Sequence, residues 1–299
     1  MAIIKDLNIS KSISIEEFKE KALQVNFDDE NEILKLSPYL KMLSNNKGWL
    51  EEFIKDGLND PSNFQIDNLY SSQSYILAEI GERAFLRFAI WSPKGFSDAL
   101  DEDNFYSYKT AHNHDFSLLT VGYIGSGYTT SLYKINPTQK ILGYIGENLD
   151  LKYKEKIQLS EGRVILYEAG TDIHIQHEPN EFSISLNLIV EQSQKKIDQF
   201  YYDVDSKKIA GYVGNTDLKP AMFMRYAAAM NQNVYKNFLE KISKNHESAI
   251  TRLYAHRALS QNYIPKSTVI SNIKKDKSNM VAESDYLIEK DINELHIWG

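Results

Sequence analysis

Cysteine is absent from all 299 residues of the chain. This absence excludes disulfide bonds, thiolate metal sites and cysteine nucleophiles, and it means that no part of the fold depends on an oxidising compartment. The chain also lacks any run near the roughly 18 apolar residues of a membrane-spanning helix. Met1 to Ser14 carry neither the apolar segment nor the cleavage site of a secretory signal. We therefore expect a cytoplasmic protein that does not act in a membrane.

An excess of positive charge is lacking as well. The 34 lysine and arginine residues are outnumbered by 41 acidic residues, which gives a formal net charge of −7. A nucleic-acid partner is therefore not expected, because such partners select for a basic surface. The 42% of hydrophobic and 25% of charged residues are ordinary for a globular protein. The length suffices for one large domain or two small ones with a substantial core.

The hydrophobic pattern divides the chain into three parts. Residues 1–72 have a helical period that begins with a capping box at Ser14–Glu17. Residues 73–215 hold short apolar runs separated by turn residues, a pattern typical of a β-barrel or sandwich. Residues 216–299 return to a helical period, with helices predicted at Met222–Ile242 and Glu247–Leu259. The strand candidates are Ala84–Trp91, Leu118–Tyr123, Thr129–Ile135, Ile141–Ile145, Arg163–Tyr167, Phe182–Val190 and Gln199–Val204.

Four of the seven histidines lie in the β region, in two groups. His112 and His114 are two residues apart, so on a strand their imidazoles share one face and can chelate a divalent metal. The alternative is a pair of exposed histidines on an edge strand. His174 and His177 are three residues apart and face opposite sides of a strand, so at most one of them joins the pair. The other histidines are expected to be surface or packing residues: His246, His256 and His296.

The order of residues around these histidines resembles the two cupin motifs, and specifically those of the cysteine-dioxygenase-like thiol dioxygenases. A strand ending at Trp91 is followed by the Pro93–Gly95 turn, then by Thr110-Ala111-His112-Asn113-His114-Asp115-Phe116-Ser117 and by the turn Gly125-Ser126-Gly127. The second motif corresponds to Gly170-Thr171-Asp172-Ile173-His174 and the later Ser183-Ile184-Ser185-Leu186. The resemblance covers roughly residues 84–190.

This resemblance implies a mainly β protein, a cupin double-stranded β-helix flanked by N- and C-terminal helices. It also implies a metal held by His112, His114 and His174, with His177 as the alternative third ligand. His174 is preferred because it follows the Gly170 turn as the motif requires. The glutamate of the general cupin motif is missing, since Ser117 and its neighbours occupy that zone, and this agrees with a three-histidine set. The cysteine–tyrosine crosslink of some relatives cannot form here.

The function implied is that of a non-heme iron oxygenase, with Fe(II) expected over other divalent metals and with O₂ and a small molecule or peptide side chain as substrates. Arg87 and Tyr123 are candidates for a catalytic or substrate-binding role. A 2-oxoglutarate-type oxygenase is one alternative, although Asn113 stands where its His-x-Asp spacing to Asp115 needs histidine. A second alternative is a cupin that binds or senses a ligand without catalysis. A homodimer is compatible with the sequence.

Overall fold

The computed structural model describes residues 2–68, 73–93, 95, 101–139, 141, 143, 146–192, 199–213, 218–230, 232–246, 249–277, 279–282 and 284–285. Two compact units are present. The first comprises Met1–Gln139 and Asn148–Gly211, and the second comprises Lys140–Glu147 and Tyr212–Gly299.

The first unit is built on two six-stranded antiparallel sheets. Their order is β1-β8-β5-β10-β3-β2 in one sheet and β12-β11-β4-β9-β6-β7 in the other. The strands are β1 Ile3–Asp6, β2 Ser74–Ile80, β3 Ala84–Trp91, β4 Ala111–His112, β5 Phe116–Ile124, β6 Thr129–Ile135, β7 Leu151–Gln158, β8 Arg163–Tyr167, β9 Asp172–His177, β10 Ser183–Glu191, β11 Phe200–Asp203 and β12 Lys208–Tyr212.

The central eight strands, β3 to β10, follow the jelly-roll order. Counted from β3, the first sheet contains the sixth, third, eighth and first strands, and the second sheet contains the second, seventh, fourth and fifth. This is the order of the eight-stranded jelly roll, which consists of two Greek keys. This is the double-stranded β-helix of cupins, so the predicted mainly β fold is confirmed.

The first sheet is buried on both faces. Leu119 and Val121 of β5 and Leu186 of β10 point outward and pack with helices of the N-terminal segment. Leu118 and Ile189 alternate with them and point into the barrel. The sequences of β5 and β10 therefore consist mostly of apolar residues without strict alternation, because both faces of each strand are covered.

Four helices form the outer layer of the first unit, and a short fifth helix precedes β4. The capping box predicted at Ser14 and Glu17 is present, with both reciprocal hydrogen bonds formed. Pro38 lies in the first turn of a helix that begins at Ser37, where a missing N–H costs nothing. The helices are α1 Ile15–Ala22, α2 Glu30–Leu34, α3 Ser37–Asn45, α4 Gly48–Asn59 and α5 Glu102–Phe105.

Several elements differ from the sequence prediction. The bounds of β3, β6 and β8 are those expected, but β1 lies within the segment assigned to helices, where it extends the first sheet beside β8. The charged strand β7 was not predicted. The predicted strand Ile141–Ile145 falls partly outside the described residues.

The second unit is helical, with α6 Leu218–Ala229, α7 Asn233–Asn245, α8 Ala249–Asn262, α9 Lys266–Ile273 and α10 Asn279–Ala282. The helix predicted over Met222–Ile242 is two helices, because Gln232 adopts an extended backbone and begins α7 anew. The side chain of Arg252 on α8 is buried and forms a two-pronged ion pair with Asp276, at 2.8 and 2.9 Å. No helix within the described residues is long and apolar enough to cross a membrane.

Candidate metal centre

Two of the predicted ligands are brought side by side by strand pairing. His112 ends β4, and its direct partner across the second sheet is His174 of β9. Directly opposed residues in an antiparallel pair project their side chains from the same face of the sheet. Because β4 and β9 are neighbours in the jelly-roll order, residues 62 positions apart in the chain meet here.

The segment that carries His114 is held by hydrogen bonds to two other parts of the barrel. The Asn113 side chain accepts from the backbone N–H of Phe200 at 2.7 Å and donates to the Gly170 carbonyl at 3.4 Å. The Gly170 N–H donates in return to the carbonyl of His114 at 2.7 Å. These hydrogen bonds link the turn before β9 to Asn113 and His114, which follow β4. They therefore hold the His114 imidazole in place relative to those of His112 and His174.

The three imidazoles, named here the histidine triad, converge on one point. One ring nitrogen from each of His112, His114 and His174 lies within 4.8 Å of the other two. The centroids of the rings are 4.6 to 5.0 Å apart. No carboxylate joins this group among the described residues. The Asp115 side chain instead accepts a hydrogen bond from Gln199, so it does not supply the carboxylate of a 2-oxoglutarate-type site.

All three imidazoles are held neutral. Burial lowers the pKa of His112 and holds the pKa values of His114 and His174 well below the usual value, and the proximity of the rings adds to the effect for the last two. His112 Nδ1 lies 3.0 Å from the Thr110 carbonyl, an acceptor, so this nitrogen carries the proton and Nε2 presents a lone pair. Neutral imidazole is the form that binds a metal.

The unsatisfied atoms of the triad fit a divalent cation. His112 Nε2 faces His174 Nε2 at 3.2 Å, and His114 Nε2 is buried without a hydrogen-bond partner. Buried polar atoms are normally paired, so an unpartnered His114 Nε2 close to a ring nitrogen of each of the other two histidines fits a positively charged ligand. The residues that would hold the metal are the three histidines, and Fe, Zn, Cu and Ni all accept imidazole nitrogen.

His177 lies apart from the triad. It faces the other side of β9, where its Nε2 lies 2.8 Å from the Ser131 hydroxyl. The remaining described histidines are in the second unit: His246 is exposed after α7, and His256 is buried in α8. His296 lies outside the described residues.

A wall of uncharged polar side chains adjoins the triad inside the barrel. Gln176 follows His174 by two residues on the same face of β9, and Thr130 is its partner on β6. The Tyr167 ring lies 4.6 Å from the His174 ring, and its hydroxyl interacts with Tyr128 and Thr130. Tyr167 Oη, Thr130 Oγ1 and Gln176 Oε1 are nevertheless buried without a well-formed hydrogen bond. We name Tyr128, Thr130, Tyr167 and Gln176 the polar wall.

The polar wall stays uncharged at physiological pH. Burial raises the pKa of Tyr128 to about 12, although the nearby polar side chains of Tyr167, Gln176 and Thr120 act in the opposite direction. Burial also holds the pKa of Tyr167 well above its ordinary value. Both phenols therefore remain hydrogen-bond donors next to the metal centre.

The two other candidates from the sequence point in different directions. Arg87 shares its face of β3 with Trp91 in the barrel interior, and its charge is close enough to depress the pKa of His114 further. Its guanidinium also donates to the Ser74 hydroxyl at 2.9 Å. Tyr123 lies on the outer face of β5, where it stacks on Trp49 with ring centroids 5.0 Å apart. The structure thus does not bring Tyr123 to the triad, because its strand buries it against the outer helices.

No family model and no curated protein matches the chain. Solved structures do match it, over part of its length. The cupin 2 domain-containing protein from Halorhodospira halophila is 10% identical, over 46% of this chain and 73% of that one, with a TM-score of 0.25. The DMSP lyase DddQ from Ruegeria pomeroyi DSS-3 is 10% identical, over 44% of this chain and 52% of that one, with a TM-score of 0.25. A prolyl-4-hydroxylase from Pseudomonas putida is 14% identical, over 37% and 50%, with a TM-score of 0.23. The matched region thus spans about half the length of the last two proteins. These partial similarities carry no conclusion about activity, and the fold assignment rests on the strand order given above.

Sequence reasoning missed the roles of Thr130, Gln176 and Asn113. Gln176 carried a signal, since it lies two residues from His174 and so shares its face on any regular strand. Thr130 and Asn113 carried no such signal, because their places beside the triad follow from contacts with residues far away in the chain.

Proposed function

We propose that this protein is a metal-dependent enzyme, a non-heme Fe(II) oxygenase, whose metal is held by the histidine triad. The observation that carries the proposal is the convergence of three neutral, buried imidazole nitrogens, a group that no carboxylate of the described residues joins. The resemblance of residues 84–190 to the three-histidine thiol dioxygenases supports the same ligand set.

The arrangement favours a catalytic metal over a structural one. Structural metal sites are closed by four protein ligands, whereas catalytic sites keep positions open. Three ligands from one side leave the opposite side of the ion accessible. When Fe(II) is bound, such a site supplies one-electron and O₂ chemistry.

The chain's own side chains would bind and orient the substrate. The polar wall offers hydroxyl and amide groups that lack well-formed partners, and these suit a substrate with an uncharged group that both donates and accepts hydrogen bonds. A site built around such bonds discriminates strongly against analogues that lack the matching group. Leu118, Leu132 and Ile165 supply apolar surface in the same interior and exclude water around the metal.

Metal content provides the first test. Protein purified after growth with added iron should carry close to one Fe(II) per chain, and the His112→Ala and His114→Ala variants should carry almost none. The exposed His246 offers the control, since His246→Ala should retain the iron of the wild type. Equal metal in all four proteins would contradict the proposal. A wild-type protein without metal would favour a cupin that senses a ligand without catalysis.

Nitric oxide separates an open catalytic site from a closed one. It binds Fe(II) only at a free coordination position and produces a characteristic EPR signal. We expect this signal from the iron-loaded wild type. Iron that binds stoichiometrically but gives no nitrosyl signal would contradict the oxygenase and leave a structural metal.

A further inference from the structure

The helix α6 has two apolar stripes, and the fold of its own unit covers one of them. Ala221, Met224 and Ala228 are buried in the core of the second unit. Phe223 and Tyr226 lie on the other side, 75% and 62% exposed. A helix that is apolar around its circumference is normally covered on both sides. The second stripe of α6 therefore lacks a cover within the described residues.

The exposed stripe continues onto the next helix. Met230, which follows α6, is 57% exposed, while Val234 and Phe238 of α7 are 51% and 61% exposed. Helices α6 and α7 contact each other and both pack against α8, and Val234 follows Met230 by four positions in the chain. We name these five side chains the α6–α7 face: Phe223, Tyr226, Met230, Val234 and Phe238.

The size of this face is that of one half of a small protein interface. With about 200 Å² for a fully exposed side chain of this kind, the five residues present roughly 600 Å² per chain. That is the upper end of the apolar patches seen on monomeric proteins. Two such faces together would bury about 1,200 Å², where specific stable interfaces begin.

The chemistry of the face fits a protein surface of the same kind. Phenylalanine, tyrosine and methionine are enriched at the centre of interfaces, where charged residues are depleted. The five side chains of the face are themselves uncharged. Lys236 and Glu240 lie off the stripe and pair with each other along α7 at 3.9 Å. An apolar centre with charges at its edge is self-complementary, as a two-fold symmetric contact requires.

We propose that the α6–α7 face is the interface of a homodimer, in which the helix pair of one chain packs on the same pair of a second copy. The four helices would then form an antiparallel bundle about a two-fold axis, with Phe223 and Phe238 at its centre. This inference is independent of the metal centre and of the oxygenase proposal.

The experiment measures the molar mass of the full chain by light scattering over a range of concentrations. We expect a dimer for the wild type, and a dimer dissociation constant raised on the order of thirty-fold for each of Phe223→Gln and Phe238→Gln. Phe182 is 52% exposed in the first unit, so Phe182→Gln is the matched control and should dimerise like the wild type.

Three outcomes would overturn the proposal: a wild-type monomer at every concentration, a dimer unaffected by both substitutions, or equal weakening by Phe182→Gln. Hydrogen exchange on the unmodified protein tests the proposal without any substitution, so its result does not depend on whether the variants fold. Peptides spanning 223–238 should exchange more slowly at high than at low protein concentration. Exchange that does not depend on concentration would show that this face is not the interface.

Discussion

The sharpest test of the metal centre compares two histidines of the same strand. His174 and His177 are three residues apart on β9, but the first points into the triad and the second points away to Ser131. Replacing either with alanine removes one imidazole from the strand. We expect His174→Ala to lose the stabilisation that added metal provides, and His177→Ala to keep it.

The magnitude follows from mass action. At a free metal concentration one hundred times the dissociation constant, binding stabilises the folded state by about 2.7 kcal/mol. The first unit has about 200 residues, and at this size 1 kcal/mol shifts the unfolding midpoint by roughly 2–4 °C. Fe(II) should therefore raise the midpoint of the wild type by about 5–11 °C. The His174→Ala protein should gain almost nothing.

The assay is thermal unfolding under anaerobic conditions with and without Fe(II), so that each variant serves as its own metal-free reference. This reference is needed because His174 is fully buried, and its removal leaves a space beside Tyr167 that lowers stability by itself. A His174→Ala protein that gains as much as the wild type would refute the assignment of this ligand. An equal loss in His177→Ala would show that the shift reports on the strand and not on ligation.

Three further predictions follow from the structure. Asn113→Ala removes the side chain that ties the segment before His114 to two other parts of the barrel, so Fe(II) affinity measured by calorimetry should fall about 10- to 100-fold with the fold retained; an unchanged affinity would contradict this role. Burial lowers the pKa values of the triad, so below the ordinary histidine pKa the unfolded chain binds more protons than the folded one. The metal-free protein should therefore lose stability as the pH falls below about 6.5, by up to about 1.4 kcal/mol per pH unit for each imidazole, and urea unfolding of His174→Ala should show a smaller slope. Asp276→Asn leaves the buried charge of Arg252 without its ion pair and should destabilise the second unit by about 3–5 kcal/mol in urea unfolding, while Fe(II) affinity stays constant.

The sequence alone predicted the fold class and the closeness of two of the three histidines of the triad. Runs such as Ala84–Trp91 and Arg163–Tyr167 are apolar except for Arg87 and Arg163, and their bounds in the structure are those predicted, as expected for strands that are largely buried on both faces. The two-residue spacing of His112 and His114 predicted that both rings share one face of a strand. In the structure β4 ends at His112, and His114 joins the triad from the segment that follows the strand. The strand β7 escaped prediction because its exposed lysine and glutamate side chains resemble a surface loop.

Only the tertiary structure decided which candidates meet. The resemblance implied His174 as the third ligand, but the structure shows why it meets His112: β4 pairs with β9, which joins two residues 62 positions apart in the chain. Tyr123 of β5 and Tyr128, which directly precedes β6, are both buried aromatics, yet Tyr128 lies in the polar wall and Tyr123 lies under the outer helices. The sequence cannot separate them, because the helices bury the outer face of the first sheet as fully as the barrel buries the inner one. The alternation of side chains along a strand assigns its residues to two faces. Only the packing of the sheet against the outer helices and the barrel interior shows which of these faces points toward the triad.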